Sequence, residues 1–245
     1  MKSKQIKHQV KYFNKEYKTY QNYKLENWRI SYMQRIFENL NLKKGQKYLD
    51  IGCGGSAYLP IEAAKKSIYA FGVDISPEAV KKAKSFAKLE KVDKNTNFTV
   101  GNAEKIPYKD NQFHAVSAIA LLEHLENDKK AIAEIHRVCE RGGLVFITVP
   151  NAYKNMPFYT WLPYMVHDRR IGHLRHYSKK SLVKLFEKTG FKTKKIFYTG
   201  HHAKFLQLLL YKLTKSEKLW WQLEKLDLQN NSPCSVSLHA VFEKT

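Results

Sequence analysis

Two stretches hold residue types that could do chemistry. The first is YLDIGCGGSAYLP at 48–60, where apolar residues run into an acid, Asp50, and then meet Gly52, Gly54 and Gly55 before helix-forming residues resume. Glycines so placed let a backbone approach a ligand that any side chain would strike. Asp74 follows about 20 residues on, where a carboxylate at a strand end accepts from both hydroxyls of a ribose. The second stretch is VHDRRIGHLRHYS at 166–178, which gathers His167, His173 and His176 with Asp168, Arg175 and Tyr177. Imidazoles titrate near neutrality and suit the removal of a proton from a nucleophile. The spacing of His167, Asp168, His173 and His176 fits no strong zinc pattern, and no metal is expected.

These residues need a frame. Lys47 to Gly52 reads as a first strand, followed by the glycine turn and a helix over roughly 57–66 with Pro60 in its first turn. SIYAFGVDIS gives a second strand ending at Asp74; Ser76 then caps a helix that has Pro77 first and Glu78 at its positive end. NTNFTVGNAE and FHAVSAIA supply a third and a fourth strand. A helix at 127–138 carries Ile132, Ile135 and Val138 on one face, and Gly142-Gly143 is expected to end it before a fifth strand, LVFITVP. Ser178 caps a helix with Leu182, Leu185 and Phe186, closed by Gly190. FKTKKIFYTG and SVSLHAVFEK are two late strands separated by helices around 203–228. Ahead of the first strand, Leu25, Trp28, Tyr32, Ile36 and Leu40 recur at helical spacing.

Strands alternating with helices imply an α/β fold with a doubly wound, mostly parallel sheet, which binds ligands beyond the carboxyl ends of its strands. The glycine turn and Asp74 lie there, so the ligand contains an adenosine. Gly52-Cys-Gly54-Gly-Ser-Ala57 also fits the dinucleotide fingerprint, which leaves NAD as the rival cofactor.

Composition narrows the class. The chain has 245 residues, 43% hydrophobic and 27% charged, as in soluble globular proteins. No window is long and apolar enough to span a bilayer, and the basic N-terminus has no apolar core of a secretory signal, so the expected location is cytoplasmic. Cys53, Cys139 and Cys234 form no CxxC pair, which argues against a disulfide framework or a cysteine zinc site. The formal net charge is +21, with lysines in every segment; a solvated surface is the favoured reading, ahead of nucleic acid or a membrane surface.

Taken in order, YLDIGCGGS, GVDISPEAVKKA, FTVGNAEKIPYKDNQFHAVSAIALLEHLEND and EIHRVCERGGLVFITVPN resemble the class I S-adenosylmethionine-dependent methyltransferases, in the branch that includes ubiquinone and menaquinone methylating enzymes. The match covers 47–151, with a weaker echo in GHLRHYSKKSLVKLFEKTGF. The resemblance implies a Rossmann-like seven-stranded sheet of order 3-2-1-4-5-7-6 with an antiparallel last strand and added terminal helices. It implies one domain over 1–245: an N-terminal helical lid at 1–46, a cofactor-binding core at 47–151 and an acceptor-side region at 152–245. It places Asp50, Gly52, Cys53 and Gly54 at the methionine end of S-adenosylmethionine, Asp74 with Ile75 at the ribose, Asn102 and Ala103 at the adenine, and Ala120 beside the methionine. Two positions depart from the family pattern: Ser56 replaces a third glycine and Asn102 a common acid. Glu123-His124 matches a family pair that supports the loop.

Methyl transfer from a sulfonium needs aligned reactants, excluded water and, for many nucleophiles, a base. By resemblance the acceptor-facing residues are His173, His176 and Tyr177 as catalytic candidates and Arg175 as an anion clamp; an equal alternative has His176 and Tyr177 packing beneath the cap of the Ser178 helix. Tyr23, Trp28 and the late segment FLQLLLYKLTKSEKLWWQLEKLD would wall the acceptor pocket; core packing is the favoured reading of Trp220-Trp221 with flanking lysines, and the other, peripheral membrane contact, implies a lipid-like or prenylated small molecule. The expectation is therefore methyl transfer to a small molecule. An RNA-modifying methyltransferase is the first alternative, although AIALLEHL contains no Asn-Pro-Pro-aromatic sequence; a non-catalytic cofactor-binding module is the second.

Overall fold

Strands whose apolar residues run almost unbroken need cover on both faces, and the computed structural model supplies it. It describes residues 4–19, 22–23, 27–202, 207, 210 and 213–245; Leu25, the Trp28 side chain and most of FLQLLLYKL lie outside the described residues. Strands β1 (Lys47–Ile51), β2 (Tyr69–Asp74), β3 (Thr96–Val100), β4 (Phe113–Ile119), β5 (Cys139–Pro150), β6 (Phe191–Thr199) and β7 (Ser237–Lys244) form one seven-stranded sheet. Its order is β3-β2-β1-β4-β5-β7-β6. The first five strands pair in parallel, and β7 runs antiparallel to both β5 and β6. This is the topology that the sequence resemblance implies.

The helices are α1 (Lys4–Lys18), α2 (Asn27–Leu40), α3 (Tyr58–Lys65), α4 (Pro77–Leu89), α5 (Asp128–Val138), α6 (Trp161–Ile171), α7 (Lys179–Glu187) and α8 (Glu217–Gln229). Because strand side chains alternate, each strand feeds two cores. Leu49, Val116 and Ile147 pack with Ile132 of α5 and Phe186 of α7 on one face. Tyr48, Ala115 and Phe146 pack with Ile36 of α2, Leu59 of α3 and Phe86 of α4 on the other. Phe186 stacks on Phe242 of β7 with ring centroids 4.1 Å apart, which ties α7 to the antiparallel half of the sheet.

Local signals set the helix starts. The Ser76 hydroxyl accepts from the Ala79 N–H at 3.0 Å, with Pro77 first in α4. Ser178 and Ser181 form a reciprocal capping box at α7. One expected boundary is corrected: Gly142-Gly143 does not end α5. The helix stops at Val138 and the chain enters β5 at Cys139. Lys244, from the far end of the chain, donates to the His136 and Cys139 carbonyls at 2.8 and 2.9 Å and satisfies them there. Gly143 instead serves a tight bend inside β5, where an added Cβ would lie 2.7 Å from Cys139 Sγ.

The N-terminal region, whose spacing marks one helix through Leu40, holds two. A helix α1 precedes α2, with Phe13 and Tyr17 turned toward the strand tips. Among the described residues no helix is long and apolar enough to cross a membrane.

Candidate active site

The strand tips open into a cavity of about 450 Å³, within the range of small-molecule sites. Its floor is the β1 turn. Gly52 and Cys53 donate to the Val73 carbonyl at 2.7 and 3.1 Å, which folds the turn back over β2. Gly52 and Gly54 have φ of +75° and +64°, a left-handed backbone that favours glycine. Gly52 lines the cavity; Cys53 is buried behind it, and Gly54 lies under the Tyr17 ring of α1.

Asp74, at the end of β2, lines the cavity with Ile75. Its carboxylate accepts from the Gly54 N–H and the Ser76 N–H, both at 2.9 Å, through different oxygens. The Ile75 N–H is a third backbone donor, and a carboxylate has about four acceptor sites, so the group holds the turn and still offers an acceptor to the cavity. Burial raises the Asp74 pKa, opposed by these backbone N–H groups. Asp50 sits deeper, outside the cavity lining. It accepts from the Ser117 hydroxyl, which in turn pairs with the Tyr48 hydroxyl at 2.6 Å. Burial pushes the Asp50 carboxyl up to about 7, against the Ser117 hydrogen bond and with the Asp74 charge adding to it.

Asn102, Ala103 and Ala120 also line the cavity. Asn102 Oδ1 already accepts from the Glu104 N–H at 2.9 Å, so the side chain closes its own turn. Ala120, just past β4, has φ +49° and hydrogen-bonds the Thr148 carbonyl of β5 at 2.9 Å.

The other end of the cavity is polar. Gly172 ends α6 in a left-handed conformation, which turns the chain so that His173 lines the cavity with Glu123, His124 and His167. Asp168 organises this end: it takes His173 Nδ1 at 2.7 Å, His176 Nε2 at 2.6 Å and the Tyr153 hydroxyl. Burial opposes the Asp168 charge, but these three partners outweigh it and hold the carboxyl below its usual range. Burial lowers the His173 pKa despite Asp168. Burial likewise pushes the Glu123 carboxyl up to about 8 and, with the His173 ring beside it, drops His124 to about 4.

Four expected acceptor-side residues lie elsewhere. His176 is held at both nitrogens, by the Asn151 carbonyl at 2.7 Å and by Asp168, and stacks on Tyr153. Tyr177 is 2% exposed in the core and its hydroxyl donates to Asp128 at 2.8 Å. Arg175 pairs with the same Asp128 at 3.1 Å. Tyr23 donates to Glu62 at 2.9 Å and packs on Phe86 of α4, outside the cavity lining. All four are positions where a side chain already has a structural partner.

The roof is α1, inside the segment 1–46 for which the resemblance implies a helical lid. Gln9 donates to the His124 carbonyl, Asn14 accepts from the Ser76 hydroxyl, and Gln5 donates to the Gly172 carbonyl at 3.0 Å. Ile6, Val10, Phe13 and Tyr17 recur at helical spacing and were the readable signal for it.

A glycine turn after β1, an acid ending β2 and this strand order define the class I methyltransferase architecture. A family model described as Methyltransferase domain matches residues 20–196, and the chain belongs to that family. It is 36% identical over 114 residues to norajmaline N-methyltransferase of Rauvolfia serpentina, covering 46% of this chain and 39% of that protein. It is 30% identical over 128 residues to demethylmenaquinone methyltransferase of Chlorobaculum tepidum, covering 52% and 50%. The chain thus spans half or less of the length of these relatives. In fold it is similar to geranyl diphosphate C-methyltransferase from Streptomyces coelicolor A3(2), solved with Mg2+, geranyl diphosphate and S-adenosyl-L-homocysteine: TM-score 0.72, 11% identity, 99% of each chain covered.

Proposed function

We propose that this protein transfers a methyl group from S-adenosylmethionine to a small-molecule acceptor. The observation that carries the reading is one continuous cavity, lined by the glycine turn and Asp74 at one end and by Glu123, His124 and His173 at the other. The residues present fit the cofactor. Asp74 retains acceptor capacity toward the cavity for a ribose hydroxyl, Ile75 and Ala103 offer apolar walls for an adenine, and Gly52 presents bare backbone to it. When bound, the cofactor supplies an electrophilic methyl on a sulfonium.

The chain then has three tasks. Asp74 and the β1 turn fix the cofactor. The α1 roof excludes water through Phe13 and Tyr17. His173, its Nδ1 held by Asp168, orients the acceptor at the polar end of the cavity. The norajmaline and demethylmenaquinone relatives, by name, methylate a nitrogen-containing small molecule and a quinone precursor, which supports a small, ring-bearing acceptor here.

The test is calorimetry with S-adenosylhomocysteine, followed by transfer of labelled methyl into fractionated small-molecule extracts. Micromolar cofactor affinity with label in the small-molecule fraction is expected. Tighter binding of NAD, or label only in RNA, overturns the reading.

A further inference from the structure

The lone pair of His173 Nε2 can take a proton or a cation, and its neighbours distinguish the two. It faces Glu123 Oε1 at 3.8 Å. Glu123 is 1% exposed, and its Oε2 has no hydrogen-bond partner. His124 is 7% exposed; it hydrogen-bonds the Gly172 backbone, while its Nδ1 has no partner. Buried polar atoms are normally paired; the Glu123 carboxyl takes its own backbone N–H, which leaves Oε2 unpaired among the described residues. Among the described residues these two atoms have no partner and stand beside the Nε2 of His173. Three converging acceptors of this kind are built for a positive charge.

We propose that Glu123, His124 and His173 bind a divalent transition-metal ion at the acceptor end of the cavity. One ligand atom from each lies within 4.8 Å of the others. Ligands about 2.0–2.2 Å from an ion sit roughly 3 to 3.5 Å apart, so side-chain rotations of less than about 1 Å close the site. Two imidazoles and one carboxylate suit zinc, iron, cobalt or manganese rather than magnesium or calcium. The surroundings match as well: Asp168 holds His173 Nδ1, the carboxylate–histidine arrangement that orients a ligand ring. The neighbouring trio Asp168, His173 and His176 also comes close, but its facing atoms already satisfy one another. It is a hydrogen-bonded network, and the Glu123 trio is the site. Three protein ligands leave positions open to the cavity.

An ion there would bind an acceptor oxygen or nitrogen directly and lower its pKa, the proton leaving to water before the nucleophile attacks the methyl. This consequence rests on the proposed function; ion binding itself does not. The experiment is a titration of chelator-treated protein with Co2+, read by visible absorption and by calorimetry, alongside an S-adenosylhomocysteine titration of the same samples. One Co2+ per chain is expected, weakened at least tenfold in Glu123→Gln, with cofactor affinity unchanged. Absence of stoichiometric Co2+ binding, or binding that Glu123→Gln leaves intact, overturns the proposal. If Glu123→Gln loses cofactor binding through misfolding, His173→Gln carries the same comparison. Normal Co2+ uptake without cofactor binding would instead defeat the proposed function and leave the ion site standing.

Discussion

Asp74 serves two masters, and a substitution there should show both. Asp74→Ala removes the carboxylate proposed to meet the ribose and the acceptors of the Gly54 and Ser76 N–H groups. Hydrogen bonds to a charged group contribute about 1.5–3 kcal/mol each, so S-adenosylhomocysteine affinity should fall about 100-fold or more, as calorimetry would read. Unchanged affinity would place the ribose elsewhere. Asp50 makes a different prediction. Its carboxyl titrates at about 7 in the fold and at about 3.9 in an unfolded chain. The folded state therefore holds the proton more tightly, and this contribution to stability is full below pH ~4 and is lost as pH rises to ~7. Asp50→Asn should raise the Tm at pH 8 by about 2–4 °C or more relative to any change at pH 4; a pH-independent difference would contradict the assigned burial. His173→Ala should abolish turnover and spare cofactor affinity, whereas His176→Ala, which frees Asp168 and the Asn151 carbonyl, should lower unfolding stability by about 2 kcal/mol. Equal behaviour of the two variants in both assays would mean His173 has no special place. The histidine pair shows what sequence could and could not supply. Both histidines lie in one short stretch, but only the left-handed Gly172 and the Asn151–Tyr177 bridge decide which ring meets the cavity. Glu123 and His124 join His173 only through the crossover from β4 to α6, so no spacing rule could have assembled them.

At the scale of elements, the parallel strands were legible because burial on both faces leaves nearly continuous apolar runs, and their tips were marked by glycine or acid. The α4 and α7 starts were legible from Ser-Pro and Ser caps. The α5 end was not: its carbonyls are satisfied by Lys244, a residue at the opposite end of the chain. Helix α1 was obscured by its lysines, which flank the apolar stripe. It is also the element with the most direct claim on turnover, because Tyr17 covers Gly54 and Gly55. A cofactor seated on that turn would be released as α1 lifts, a motion of the kind that limits many enzymes. The double variant Gln9→Ala, Tyr17→Ala should speed S-adenosylhomocysteine release about tenfold or more in stopped-flow displacement, the loss of about 1.4 kcal/mol of closure. Gly54→Ala should act oppositely to a simple loosening: at φ +64° with Tyr17 Oη 2.9 Å from the new Cβ, it strains the turn and weakens binding. Release rates unmoved by the double variant would mean that the cofactor passes another way.

For the whole molecule, the net charge of +21 is a property of the surface and not of the cavity, whose ionisable walls include Asp74 and Glu123. Any RNA binding should therefore drop by orders of magnitude between about 50 and 200 mM salt, while S-adenosylhomocysteine affinity stays nearly constant over the same range. Parallel loss of both would tie the charge to the reaction. The three thiols add a last consequence. Cys234 is exposed, whereas Cys53 and Cys139 are buried, and Cys53 lies directly beneath the glycine turn with its pKa raised by burial. An alkylating reagent should consume Cys234 at once and reach Cys53 only when the fold over the strand tips comes apart. The chain thus carries its own clock: the rate at which Cys53 is modified, read by mass spectrometry, times how often that end of the sheet opens, and a bound adenosyl ligand should slow it.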